Sequence, residues 1–386
     1  MFSMTTSEPG TSPANQTGPS DALKVGVSML TLVPGGMGGS ETYARELVRK
    51  LGASPAVNPT CYVNESGRGF SEGADEVVIP GLAGGASTIA RLATLAKGLV
   101  TRSSILRRMR PMDVFHVPFT VPLPKPPKGT PFVQTLLDVQ HLDLPELFGT
   151  ADKLYRKVFY EKAARDADAI VTISDFAKDS IVRHLGIAPD KIFTAHLGVN
   201  AEEFIPNFGP RESFIMYPAR GWKHKNHAKL FEAMRLLEVT NPELRLILTG
   251  GALDTLTDIP ANVEVRGLVP LAELRELYRS AACMVFPSLY EGFGLPPLEA
   301  MASGCPVASS TAGSLPEIVG DAAELFDPQD PEAIATAIRN AIARTDELQR
   351  LGLEQVRKFT WEHCADVHEQ AYRYALNQRA TAASTV

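Results

Sequence analysis

Short apolar runs alternate with longer segments of mixed polarity along nearly the whole chain. Lys24 to Leu30, Asp113 to Val117, Phe132 to Leu137, Ala169 to Ile173 and Lys191 to His196 form a first set of runs. They are close to continuous rather than alternating in hydrophobicity, which predicts strands covered on both faces of a parallel sheet. Apolar residues at helical spacing from about Glu41 to Leu51, from Lys153 to Asp166 and after Ser174 predict the helices between them. The pattern breaks at Pro206, Gly209 and Pro210 and then restarts. Ser213 to Tyr217, Leu244 to Thr249, Val263 to Val265, Ala282 to Phe286 and Pro306 to Ser309 read as strands. Ala228 to Leu237, Leu271 to Ser280, Pro331 to Thr345 and Trp361 to Asn377 read as helices. Such alternation predicts an α/β protein of two doubly wound domains, spanning 23–205 and 206–358, with a last helix and tail at 359–386. Residues 1–22, rich in Ser, Thr, Pro and Gly and without an apolar run, predict a disordered tail rather than a signal peptide.

Composition narrows the function classes. The 386 residues are 44% hydrophobic and 21% charged, enough for two separate cores. A net charge of -6 gives no reason to expect a nucleic-acid partner. Cys61, Cys283, Cys305 and Cys364 form no C-x-x-C pair, so reduced structural cysteines in a cytoplasm are expected. No run of eighteen or more apolar residues predicts a membrane span. Residues 91–110 carry Arg91, Lys97, Arg102, Arg107, Arg108 and Arg110 without an acidic residue, with Leu92, Leu95, Leu99 and Leu106 predicting one buried helix face. A solvated basic face is the first reading. Peripheral contact with anionic lipid at the inner face of a membrane is the second.

The chemistry concentrates where predicted strands end. After the run ending at Phe286 comes Pro287 to Gly304, with Glu291, Gly292, Phe293, Gly294, Leu295 and Glu299. Pro297 reads as the first residue of a helix, so Glu299 is expected in its first turn and Gly304 at its stop. The crevice beyond the C-terminal ends of strands is where open α/β sheets bind ligands. Carboxylates there suit vicinal hydroxyls, and the glycines let backbone N–H groups approach a ligand closely. After the run ending at Tyr217, Arg220 offers a planar fork for phosphate oxygens and Lys225 a mobile charge. The loop from Val33 to Ser40, with Gly38 and Gly39, lies between a strand and a helix for which Ser40 is the expected N-cap. It is not the dinucleotide fingerprint, whose third glycine falls on Glu41, and it lacks the P-loop lysine. Asp138 directly follows a strand, and His116 and His141 stand nearby as acceptor-side candidates. Asp166 and Asp168 have the spacing of a metal-binding D-x-D, but their place before a buried strand predicts an ordinary turn.

The two glutamates of Glu291 to Glu299, with Gly292-Phe293-Gly294 and Pro296-Pro297 between them, resemble the E-x7-E segment of the retaining glycosyltransferases of family 4. Arg220 and Lys225 resemble that family's diphosphate-binding pair. The segments Trp222 to His227 and Asp138 to Glu146 are similar to those of bacterial mannosyltransferases. The resemblance implies a GT-B fold, two Rossmann-like domains facing a cleft, with the last helix crossing back to the first domain. It implies a nucleotide-diphospho-sugar donor, GDP-mannose as the first choice, and a carbohydrate or glycolipid acceptor. Glu299 would hold the ribose, Glu291 the sugar hydroxyls and Arg220 with Lys225 the diphosphate, with no metal or other cofactor. The loop with Gly38 and Gly39 would border the donor phosphates. One position departs from the pattern. Leu137 stands where many relatives have a histidine that reaches the sugar's 6-hydroxyl, which keeps open a 6-deoxy or pentose donor, or a nucleotide-sugar-binding protein without transfer activity. An epimerase or a phosphorylase on the same fold is a further alternative, though no lysine is singled out for pyridoxal phosphate.

Overall fold

The computed structural model describes residues 22–85 and 88–384; of the predicted N-terminal tail only Ala22 falls within them. Thirteen strands among these residues form two sheets, and every pairing is parallel. The first contains β1 (Leu23–Met29), β2 (Val57–Asn64), β3 (Asp75–Ile79), β4 (Val114–Val117), β5 (Phe132–Thr135), β6 (Ala169–Thr172) and β7 (Ile192–Thr194). Their order is β3-β2-β1-β4-β5-β6-β7. The second contains β8 (Glu212–Pro218), β9 (Arg245–Thr249), β10 (Val263–Gly267), β11 (Ala281–Phe286), β12 (Val307–Ser310) and β13 (Glu324–Phe326), ordered β10-β9-β8-β11-β12-β13. The central strands are buried along their length, as continuous apolar runs require.

In each sheet the strand order reverses next to the first strand of its unit. The reversal lies between β1 and β4 in the first sheet and between β8 and β11 in the second. At such a point adjacent connections leave in opposite directions and open a crevice. The loops after β1, β8 and β11 are the ones that carry Gly38, Arg220 and Glu291.

The last helix, Trp361–Ser384, leaves the second unit and packs on the first. Cys364, Ala371, Tyr372 and Ala375 are buried there against β4 to β7 and the helix Gly39–Ala53. Gly198 makes the crossing tight, because a Cβ on it would stand 2.2 Å from the Trp361 amide nitrogen. Tyr43 and His368, and His116 and Tyr372, are hydrogen-bonded across the same contact at 2.7 and 2.9 Å.

Several boundaries differ from the sequence reading. The helix after the glycine-rich loop begins at Gly39, with Gly38 as its cap and no side-chain capping bond, so Ser40 is helical. The helix after the Glu291 loop begins at Leu295, placing Pro296 and Pro297 within the first turn and Glu299 beyond it. Proline is tolerated there because the first amides of a helix have no intrahelical acceptor. The basic segment is not one helix: Thr88–Val100 and Arg102–Arg108 meet at Thr101. Leu95 and Ile105 are buried, while Leu99 is 59% and Val100 88% exposed. No helix among the described residues is long and apolar enough to cross a membrane.

Candidate active site

The loop after β8 is stiffened by its own sequence. Trp222 lies under the Arg220 guanidinium at 5.2 Å and beside the His224 ring at 5.6 Å, a stack that aims the fork. Tyr217 donates to the Lys225 carbonyl at 2.8 Å. Asn226, in the left-handed region at φ 60, donates to the Pro287 and Pro328 carbonyls, pinning the turn to the loop after β11. Lys225 reaches across that junction to Glu291, Nζ to Oε1 at 2.5 Å, with both side chains largely buried. Burial and the adjacent lysine push the His224 imidazole down to about 4.

The Glu291 loop is held from behind. Ser314 contributes its backbone N–H to the Glu291 carbonyl, and its hydroxyl lies 2.6 Å from the Phe293 carbonyl. Gly313 packs under the same loop at φ 64, where a Cβ would stand 2.6 Å from the Glu291 carbonyl oxygen. Glu299 accepts from the Tyr278 hydroxyl at 2.9 Å, and burial raises its pKa despite that bond. On the facing wall Asp138 accepts from the Gln140 amide at 3.0 Å. Burial raises Asp138 as well, against the opposing pull of that amide and of Arg156. A Cβ at Gly292 would lie 3.2 Å from the Asp138 Oδ2, so the two domains approach closely here and a larger residue would press on the Asp138 side chain.

One cleft of about 460 Å³ collects Gly38, Gly39, Asp138, Arg220, Lys225, Glu291, Gly292, Phe293, Gly294, Leu295 and Glu299. Glu299 and Leu295 also line an adjoining cavity of about 510 Å³. Two cations from the loop after β8 and the carboxylates of Asp138, Glu291 and Glu299 line it together, groups suited to a diphosphate joined to hydroxyl-bearing rings. Leu137, Ile173 and Leu197 add an apolar stretch to the wall.

The comparisons identify the family. The model for glycosyl transferases group 1 matches residues 199–356, and that for Glycosyltransferase Family 4 matches residues 37–203. O-antigen chain mannosyltransferase B of Escherichia coli is 32% identical over 268 residues, covering 62% of this chain and 70% of that protein. The chain belongs to glycosyltransferase family 4. It is a glycosyltransferase with the GT-B fold. A second relative, the MMP alpha-(1->4)-mannosyltransferase of Mycolicibacterium hassiacum, is 29% identical, the match covering 56% of each chain. Sucrose-phosphate synthase from Thermosynechococcus elongatus superimposes with a TM-score of 0.72 at 21% identity, over 91% of this chain and 98% of that one.

Two candidates lie outside this cleft. His116 is a fully buried core residue, its ring held by Thr135 at 2.9 Å and Tyr372 at 2.9 Å. It lies within β4, as its place in the run Asp113 to Val117 implied. His141 is buried against Glu161, 3.5 Å away, and the Phe148 and Tyr160 rings. Asp166 pairs with Lys162, and Asp168 accepts from the Phe132 amide and pairs with Arg379, as an ordinary turn would. Cleft residues that sequence reasoning missed include Thr42, Gln140 and Tyr290. Gln140 and Tyr290 fall inside the segments Asp138 to Glu146 and Pro287 to Gly304 without being singled out there, and Thr42 lies on the helix after the glycine-rich loop. Among the described residues, a mixed Asp175, His196 and Glu317 group could hold a metal, but it does not line the cleft.

Proposed function

We propose that the chain transfers mannose from GDP-mannose to a hydroxyl of a glycan or glycolipid, with retention of anomeric configuration. The observation that carries this reading is the convergence of Arg220 and Lys225 with Glu291, Gly292 and Glu299 in one cleft, at the switch point of the second sheet. Arg220 and Lys225 would neutralise the diphosphate as it departs, an electrostatic stabilisation of developing charge. Glu291 and the amides of 292–294 would hold the sugar, and Glu299 the ribose. Asp138, set against Gly292, faces the sugar side from the acceptor domain. Front-side attack, with the leaving phosphate taking the acceptor's proton, needs no protein nucleophile. The two cations supply the charge that a metal supplies elsewhere, so activity should persist in EDTA. The mannosyl assignment is supported by the two mannosyltransferase relatives above.

The test is turnover and thermal shift with GDP-, UDP-, TDP- and ADP-sugars in EDTA, with the product's anomeric configuration read by NMR. A shift with GDP-mannose alone and a retained α-linkage are expected. Leu137 favours a second reading. With Ile173 and Leu197 it presents hydrocarbon where a 6-hydroxyl would need a partner. Turnover of a GDP-6-deoxyhexose with none of GDP-mannose would replace the first reading by the second. We read the basic segment 91–110 as a peripheral contact with anionic lipid, which would hold the enzyme at the cytoplasmic face of a membrane.

A further inference from the structure

The donor loop belongs to the second domain, yet groups from the first hold it. Ser174 donates its hydroxyl proton to the Gly292 carbonyl at 2.7 Å. The same oxygen accepts from the Ala177 amide at 3.1 Å as N-cap of the helix Asp175–Leu185, so its one proton is committed to Gly292. Beside it, Tyr290 donates to Asp143 at 3.1 Å and sets its ring edge-on to Phe176.

Glu317 completes the junction. It lies on the short helix Leu315–Val319, preceded by Ser314, whose N–H and hydroxyl grip the donor loop from behind. Its carboxylate sits on the N-terminus of Asp175–Leu185, accepting from the Asp175 amide at 2.9 Å and the Phe176 amide at 3.1 Å. The His196 ring reaches the same carboxylate at 2.5 Å. The first domain's helix is therefore capped by a carboxylate from the second domain. Burial pushes Glu317 up, but His196 and the two amides outweigh it and hold the carboxyl below its usual value. Asp175's own carboxylate is engaged by the Thr194 hydroxyl at 2.7 Å. Parting the domains would therefore expose two helix amides and release the Gly292 carbonyl together.

We propose that Ser174 and Glu317 are positioning residues that lock the Glu291 to Gly294 loop into its donor-binding shape only when the two domains are closed. The proposal rests on the donor reading of that loop. Donor affinity and closure are then linked, and each must strengthen the other by the same factor. Removing the Glu317 charge keeps the side chain's shape but weakens charge-assisted bonds to the helix terminus.

The experiment uses the full chain carrying Ser103→Cys and Glu238→Cys, both exposed positions, for spin labels; the native cysteines are buried. The distance between labels is measured in the parent and in Glu317→Gln and Ser174→Ala, with melting temperature and steady-state kinetics on the preferred nucleotide sugar. A longer, broader distance in Glu317→Gln and a donor KM raised about tenfold in both variants, each melting close to the parent, are expected. Unchanged distance and KM would overturn the proposal. So would a longer distance without a KM change, or a KM change that only follows a lowered melting temperature. A parent that binds none of the nucleotide sugars would overturn the donor reading itself, and the coupling with it. A parent that turns over its donor no better than the variants overturns the latch alone.

Discussion

Glu299 reaches the cleft with one oxygen already accepting from the Tyr278 hydroxyl, and burial holds its pKa above the ordinary glutamate value. Only the ionised form accepts from two vicinal hydroxyls, so donor binding should weaken as pH falls through that raised pKa. The Tyr278 bond favours the ionised form. Tyr278→Phe should therefore raise the Glu299 pKa further, move the acid limb of kcat/KM to higher pH and raise donor KM about fivefold. An acid limb that stays in place would show that Glu299 does not hold the donor. Arg220 gives a sharper test, because its guanidinium is stacked on Trp222 and aimed into the cleft. Arg220→Ala should cost about a hundredfold in kcat/KM, measured with the same donor. The place of Arg220, Asp138 and Glu291 beside the cleft could be read from the sequence, because each lies in the loop after a buried strand and strand ends face the crevice. His116 was read on its strand, but as an acceptor-side candidate rather than as part of the core. It lies inside its strand, and its partner Tyr372 is 256 residues away, a contact no local pattern encodes.

At the scale of elements, the last helix was legible as a helix, but its burden of polar contacts was not. His368 bonds Tyr43 through Nε2 and its own helix's Cys364 carbonyl through Nδ1, at 2.7 Å each. Burial pushes His368 down to about 4 and holds His116 well below its ordinary value. A histidine depressed in the folded state takes up its proton only on unfolding over the range between its two pKa values. Stability is therefore full above pH 6.5 and should fall as pH drops from about 6.5 to about 4, by roughly 3 kcal/mol for His368 alone. Urea midpoints measured across that range should show the decline, and His368→Gln should flatten it while lowering the value at pH 7. An equally steep decline in the variant would assign the acid sensitivity elsewhere. The Tyr43 contact ties this helix to the one that begins at Gly39, so loosening it should also disturb the glycine-rich side of the cleft. The early start of the helix at Leu295 escaped the sequence reading because proline marks the first turn without saying which of its positions it fills.

Across the whole molecule a net charge of -6 conceals a basic face on the first domain. The helices Thr88–Val100 and Arg102–Arg108 bury Leu95 and Ile105 in a satellite core with Leu30, Tyr62 and Leu123. Tyr155 and Phe159, from the helical stretch 150–166, pack on the same cluster. These segments therefore share one satellite core. They expose Leu99, Val100, Leu154 and Val158, with Lys97, Lys153 and Lys157 also exposed. The sequence suggested one amphipathic helix, whereas the segment folds as two, with an exposed Leu99 where a buried one was expected. Basic side chains near an anionic surface contribute about 1 kcal/mol each, and inserted apolar groups add to that. The chain should float with vesicles rich in phosphatidylglycerol, leave them at high salt and ignore phosphatidylcholine vesicles. Leu99→Ser with Val100→Ser should weaken flotation without lowering turnover of a soluble acceptor, since neither residue lines the cleft. No flotation with either lipid would leave this face as solvated charge, and equal flotation with both would remove its basic residues from the binding.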